Sequence, residues 1–253
     1  MGMIGVSGID RGLRIVDAIV AVVLAPACAA CDELLDSPTR GPVCARCWRS
    51  ILPLTPPICD RCGDPLPSWR VVSVPRQQCA RCRRSTRAVD RARAIGAYDG
   101  ALRAVIHALK YDGRRSLAKP IAALMRQRGA DLLAGAACAV PVPLHGSRRR
   151  RRGFNQADDL ARHLGLPLVR ALVRTRATKT QTELPAAQRH RNVRDGFAAT
   201  PAAAALAGGC VVLVDDVSTT GATLEACARA LKAAGVAEVR ALTAARVVGR
   251  MSS

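Results

Sequence analysis

The stretch VVLVDDVSTTGATL, residues 211–224, decides the fold. Its four leading aliphatic residues read as a strand buried on both faces, and ATLEACARALKAAG from Ala222 has helical spacing with Gly235 placed to end it. Strand, tight loop and helix N-terminus therefore follow one another directly. In α/β proteins that arrangement puts ligands at the carboxyl ends of the strands, where a helix N-terminus offers backbone N–H groups to an anion. Ser218, Thr219, Thr220, Gly221, Ala222 and Thr223 thus form a candidate phosphate loop, with Gly221 permitting close backbone approach. Asp215 and Asp216 cannot serve that phosphate. Ionised carboxylates only accept hydrogen bonds, so these two suit sugar hydroxyls or a divalent cation. A phosphorylated sugar uses every part of the stretch. Adjacent acids before Ser and Thr also cap helices and make turns without any ligand, a use the pattern alone leaves open.

The chain around this stretch has 253 residues, room for one ordinary domain and a smaller one. Aromatics make up only 2% against 49% apolar residues, so the core must be aliphatic. Lys and Arg number 39 and Asp and Glu 19, a formal net charge of +20 that attracts polyanions. The excess is uneven, with 13 basic and 3 acidic side chains in residues 148–194. Such clustering favours a site over a merely solvated face.

Eight of the 11 cysteines form four C-x-x-C pairs: Cys28 and Cys31, Cys44 and Cys47, Cys59 and Cys62, Cys79 and Cys82. Two thiolates three residues apart on a tight turn can hold one ion, and a second such turn completes a tetrahedron. Turn formers Gly41, Pro42, Gly63 and Pro65 lie nearby, and segments this short could hardly fold unstapled. Two structural zinc ions are expected. Sequential pairing closes the shorter loops, although interleaved pairing and a disulfide framework remain rivals. Cys138, Cys210 and Cys227 lie in apolar surroundings and are expected to be small core residues.

At the amino terminus, DRGLRIVDAIVAVVLAPACAAC (10–31) imitates an export or lipoprotein signal, but Asp17 breaks the apolar run and Pro26 sits badly for processing. Residues 12–24 read instead as an amphipathic helix docking on the body. No other stretch is long enough to cross a membrane. The expected location is cytoplasmic, where thiols stay reduced. Farther on, YDGALRAVIHALKYDGRRSLAKPIAALM (98–125) reads as two helical segments separated at Asp112-Gly113. CAVPVPL (138–144) reads as a buried strand running into the arginines 148–152, which puts positive charge at the ligand edge of a parallel sheet.

Residues 211–223 match the phosphoribosyl-pyrophosphate (PRPP) loop of type I phosphoribosyltransferases position by position. Together with RRGFNQADDLA (151–161), RTRATKTQTELPAAQRHRNVRDGF (174–197), the HALKYDGRR helix end and the four C-x-x-C pairs, they make the chain similar to the ComF family from about Cys28 to Val248. The resemblance implies a double zinc ribbon at 28–90 after an extension at 1–27. It also implies a phosphoribosyltransferase-like domain at 91–253, a parallel sheet with flanking helices. Asp215 and Asp216 would hold the ribose, and Thr219 to Thr223 the 5'-phosphate. Arg151, Arg152, Asn155 and Gln156 become pyrophosphate candidates. In 174–197, Arg176, Thr180, Gln181, Arg189, Arg191 and Asn192 suit a flap that closes over a polyanion.

Phosphoribosyl transfer needs a held ribose and a neutralised leaving group, usually with Mg2+, more than a strong protein base. The scattered histidines His107, His145, His163 and His190 are accordingly read as structural. Three functions fit: a transferase using PRPP, a single-stranded DNA-binding protein whose sugar-phosphate pocket is a sensor, and an adaptor whose zinc module engages a partner such as a DNA helicase. The resemblance ties all three to DNA uptake in natural transformation or to DNA processing.

Overall fold

The computed structural model describes residues 24–66, 77–144, 152–175 and 196–248, with residues 12, 16–20, 22, 146 and 150. Its helices are α1 (Ala45–Arg49), α2 (Ala80–Arg84), α3 (Gly100–Tyr111), α4 (Ala118–Arg128), α5 (Ala130–Leu133), α6 (Gln156–Ala161) and α7 (Ala222–Ala233). Its strands are β1 (Arg91–Ala94), β2 (Cys138–Pro141), β3 (Leu172–Arg174), β4 (Phe197–Ala199), β5 (Cys210–Ser218) and β6 (Glu238–Arg246). The chain divides into two compact units, one of residues 1–52 and 99–117, the other of residues 53–98 and 118–253.

The first unit holds the first two C-x-x-C pairs and α3. Leu102, Val105, Ile106 and Leu109 recur at helical spacing on α3 and are buried. The Asp99 carboxylate accepts from the Gly100 amide at 2.8 Å at its start. Of the helix expected over 12–24, residues 12, 16–20, 22 and 24 are helical. Asp17 is buried there and accepts from the Thr39 amide at 2.8 Å, whereas Val16, Ile19, Val22 and Leu24 are exposed.

The second unit is built on four parallel strands in the order β1-β6-β5-β2. In β5, the run Val211 to Val214 is wholly buried, as the unbroken aliphatic reading requires of a central parallel strand. Val140 pairs with Leu213 on one side, and Leu213 with Ala241 on the other. Helix α6 packs on β5 and β2, and α7 on β5, β6 and β4. The core is aliphatic, with Ile95, Ile121, Met125, Leu132, Leu160, Leu231 and Leu242 fully buried. Cys138 and Cys227 are buried in it as expected, and Cys210 is half-buried at the start of β5. A separate antiparallel pair, β3 with β4, brackets the segment expected to be the flap. Thr175 donates to the Gly196 carbonyl at 3.0 Å, and Arg174 lies 5.2 Å over the Phe197 ring.

The parallel sheet, the flanking helices and the cysteine-rich amino-terminal segment agree with the expected α/β class. Among the described residues no helix is long and apolar enough to cross a membrane.

Candidate functional site

Strand β5 carries Asp215 and Asp216 at its carboxyl end, as expected of a ligand edge. Asp215 is half-buried and accepts from the Asp216 amide at 2.9 Å, while Asp216 is 9% exposed. The strand continues to Ser218, and Thr219 and Thr220 stand exposed beyond it. Gly221 then adopts φ +78°, a left-handed conformation. A Cβ there would have space, its nearest neighbour being Ser218 Oγ at 3.9 Å, so the backbone and not crowding calls for glycine. Helix α7 starts at once, and the Thr220 hydroxyl accepts from the Ala222 amide at 3.3 Å. Ala222 and Thr223 lie half-exposed in its first turn, whose N–H groups have no intrahelical acceptors. Two acceptor-only carboxylates and a glycine-hinged helix start thus meet within nine residues of chain, Asp215 to Thr223.

The other sequence candidates are placed unevenly. Asn155 precedes α6, where its side chain accepts from the Ala157 amide at 3.2 Å and donates to the Val142 carbonyl at 3.0 Å, tying the helix to the end of β2. Gln156 is 1% exposed, and neither polar atom of its amide meets a partner among the described residues. Arg152 is half-buried. Arg151, Arg176, Thr180, Gln181, Arg189, Arg191 and Asn192 lie outside the described residues. On the same short helix the buried Asp158 takes a bidentate contact from Arg170, 2.7 and 3.0 Å, and Arg162 pairs with both Asp158 and Asp159. Those two acids, prominent in the sequence, hold α6 in place.

The cysteines gather into Cys28, Cys31, Cys44 and Cys47 and into Cys59, Cys62, Cys79 and Cys82, each set with its sulfurs within 4.8 Å of one another. Pairing is sequential, which resolves the choice the spacing left open. Both sets repeat one plan. A knuckle follows the first pair, closed by Cys28 N–H to the Glu33 carbonyl and by Cys59 N–H to the Asp64 carbonyl. The second pair opens a short helix, α1 or α2, with Cys44 or Cys79 at its N-cap. A tetrahedron with arms of about 2.3 Å has edges of about 3.8 Å. Cys31 and Cys44 sulfurs are 3.9 Å apart and those of Cys62 and Cys79 3.6 Å, far beyond the ~2.05 Å of a disulfide. Amides also converge on the sulfurs, Cys44 N–H on Cys28 at 3.3 Å and Cys79 N–H on Cys59 at 3.3 Å. Burial works against the Cys28 thiolate, but the amides of Cys44 and Ala30 bring its pKa to about 7. For Cys59, the Cys62 thiol and then the amides of Cys62 and Cys79 outweigh burial and bring it to about 4. This donor set fits zinc.

Comparison with known proteins accords with both halves of this description. Residues 150–250 match the phosphoribosyl transferase domain, and residues 19–83 the double zinc ribbon domain. The chain is 31% identical to "Competence protein F" of Haemophilus influenzae over 229 residues, 87% of this chain and 96% of that protein. The chain belongs to the ComF family. It is also 33% identical to "DNA utilization protein YhgH" of Escherichia coli K12 over 78% of this chain and 86% of that one. With "Competence protein ComFC" of Bacillus subtilis it shares 35% identity over 102 residues, 39% of each chain. For this ComF-family chain the two tetrads support two zinc ions, one in each ribbon. Protein purified under reducing conditions is expected to carry two zinc ions per chain, and Cys44→Ser or Cys79→Ser to lower the content by one each. Metal analysis finding fewer than about two in the parent chain rejects that assignment.

Proposed function

We propose that this chain is a PRPP-binding, phosphoribosyltransferase-like protein acting in DNA uptake or DNA processing. The observation that carries the reading is the juxtaposition at the end of β5, where Asp215 and Asp216 stand beside a loop that turns through Gly221 into α7. The carboxylates accept from the ribose 2- and 3-hydroxyls, and the amides and hydroxyls from Thr219 to Thr223 receive the 5'-phosphate. Oxygen donors of this kind also suit a hard cation, and Mg2+ accompanying the pyrophosphate supplies neutralisation of the leaving group. The context follows from the names of the relatives, a competence protein and a DNA utilization protein. Calorimetric titration of the zinc-loaded protein with PRPP and Mg2+ tests the reading. A one-site isotherm is expected, and no binding at millimolar PRPP overturns it.

Single-stranded DNA is the partner this reading implies. Support comes from the net +20 charge and from α2, whose Arg83 and Arg84 are exposed. With six aromatic residues in the whole chain, phosphates rather than bases supply the affinity. Binding is expected to fall steeply with salt and to vary little with sequence, and Arg148→Ala, Arg149→Ala and Arg150→Ala together to weaken every sequence alike. Fluorescence anisotropy over a salt series checks it. A flat salt dependence or a strong preference for one sequence counts against electrostatic binding.

A further inference from the structure

The second tetrad is joined to the candidate phosphate loop by a chain of charged side chains. Asp64, two residues past Cys62, forms an ion pair with Arg81, which lies between Cys79 and Cys82, at 2.7 Å. The other arm of the Arg81 guanidinium donates to the Thr220 carbonyl at 3.3 Å. The second oxygen of Asp64 pairs with Arg246, the last residue of β6, which is 4% exposed. Arg246 in turn donates to Ser218 Oγ at 3.4 Å. Backbone bonds close the same corner, with Val247 N–H on the Ser218 carbonyl at 2.9 Å and Tyr98 N–H on the Arg246 carbonyl at 2.7 Å. A second link runs from the ribbon knuckle, where Arg61 donates to the Arg87 carbonyl at 2.9 Å, and Arg87 pairs with Glu225 on α7 at 3.2 Å. Both ends of the loop are therefore held from the ribbon side.

We propose that the second zinc site positions the phosphate loop, with Asp64, Arg81 and Arg246 as the positioning residues. The inference rests on the reading of Ser218 to Thr223 as a phosphate loop. Its force lies in where the two arms of the brace originate. Asp64 belongs to the Cys59–Cys62 knuckle and Arg81 to the Cys79–Cys82 turn, so their ion pair forms only when the two halves of the tetrad are together. The apolar cluster beneath them is small, Cys59, Cys62, Leu66 and Cys82 with Cys79 against it, and cannot hold the two turns in register without a metal. The knuckle is equally fixed to the sheet. Gly63 has φ +71°, and a Cβ there would lie 2.7 Å from the Ala92 carbonyl oxygen of β1, so ribbon and edge strand are in contact with no room for a side chain. A buried guanidinium needs its carboxylate, and without Asp64 Arg246 would leave Ser218. With it, Arg246 occupies a lone pair of the Ser218 oxygen and leaves the hydroxyl proton directed elsewhere, while Arg81 fixes the peptide between Thr220 and Gly221. Closure of the second tetrad thereby sets the loop's conformation.

The test uses full-length zinc-loaded protein with two variants, Asp64→Asn and Arg81→Ala, and Lys232→Ala as a control that removes the pair with Asp90 and the bond to the Ala237 carbonyl at the far end of α7. Zinc content, amide hydrogen exchange of the 218–224 peptide and PRPP affinity are read together. Both brace variants are expected to keep two zinc ions, to exchange at 218–224 roughly tenfold faster than the parent, and to bind PRPP about tenfold more weakly. Exchange elsewhere in β5 and the control variant should match the parent. If Asp64→Asn sheds zinc, Arg81→Ala, which leaves every cysteine and Asp64 in place, decides. Parent-like loop exchange in Arg81→Ala with zinc retained overturns the proposal. If the parent itself binds no PRPP while the exchange changes appear, the ligand reading falls and the brace stands.

Discussion

Replacing Asp215 and Asp216 together by asparagine is expected to weaken PRPP binding by a hundredfold or more and to leave the fold intact. The exchange keeps shape and size, so any loss reports charge and hydrogen bonding. Each carboxylate hydrogen bond to a ribose hydroxyl contributes roughly 1.5–3 kcal/mol, and two of them together correspond to a factor of about 100 or greater. An asparagine oxygen at 215 can still accept from the amide of residue 216, the local bond seen at 2.9 Å. The strand end should therefore keep its conformation, and thermal unfolding should shift little. Calorimetry of the double variant with PRPP and Mg2+ makes the measurement, and affinity equal to the parent's would remove these two residues from the site.

The second large effect is on stability. Leu213→Ala is expected to cost about 3 kcal/mol, within the roughly 2–5 kcal/mol typical of buried leucine truncations. Leu213 is 0% exposed in the middle of β5, hydrogen-bonded into both β2 and β6, so the void cannot collapse without bending two neighbouring strands. Denaturant unfolding followed by a probe in the second unit reads the change. The measurement has to be confined to that unit because a two-unit chain need not unfold in one step. A loss below about 1 kcal/mol would show that β5 is not the central strand of the core.

The parts legible in the sequence were those whose pattern is local. An aliphatic run followed by acids, small hydroxyl residues and glycine forces strand, loop and helix within 14 residues, and β5 to α7 follows it closely. The C-x-x-C pairs announced metal sites for the same reason, although which pair joins which became visible only when the sulfurs were placed. Strand β1 was not legible. Its sequence RARA alternates, but only with alanine, too small and too poor a strand former to mark a buried face; it is a strand because β6 pairs with it while its arginines find acceptors off the sheet, Arg93 on the Asp60 carbonyl and Arg91 on Asp131. Nor could the sequence announce the Asp64 to Arg246 pair, whose partners are 182 residues apart and owe their meeting wholly to tertiary folding. Asn155, a pyrophosphate candidate by resemblance, has a second use that its sequence context did not announce: its side chain links the start of α6 to the Val142 carbonyl after β2.

The strand order β1-β6-β5-β2 has a consequence for the nascent chain. The two outer strands are translated first, and the two that fit between them are translated last. At ribosomal speeds the interval between β1 and β6 is on the order of ten seconds. Until β5 is made β2 has no partner strand, and until β6 is made β1 has none, so their unpaired backbone edges emerge from the exit tunnel waiting for partners. The cysteine knuckles need only nearby residues and a metal ion, so they can close during that interval. The sheet can close only as a late insertion, with β5 and β6 sliding between strands made long before, and a chaperone acting on this protein would have to shield the early edges until then.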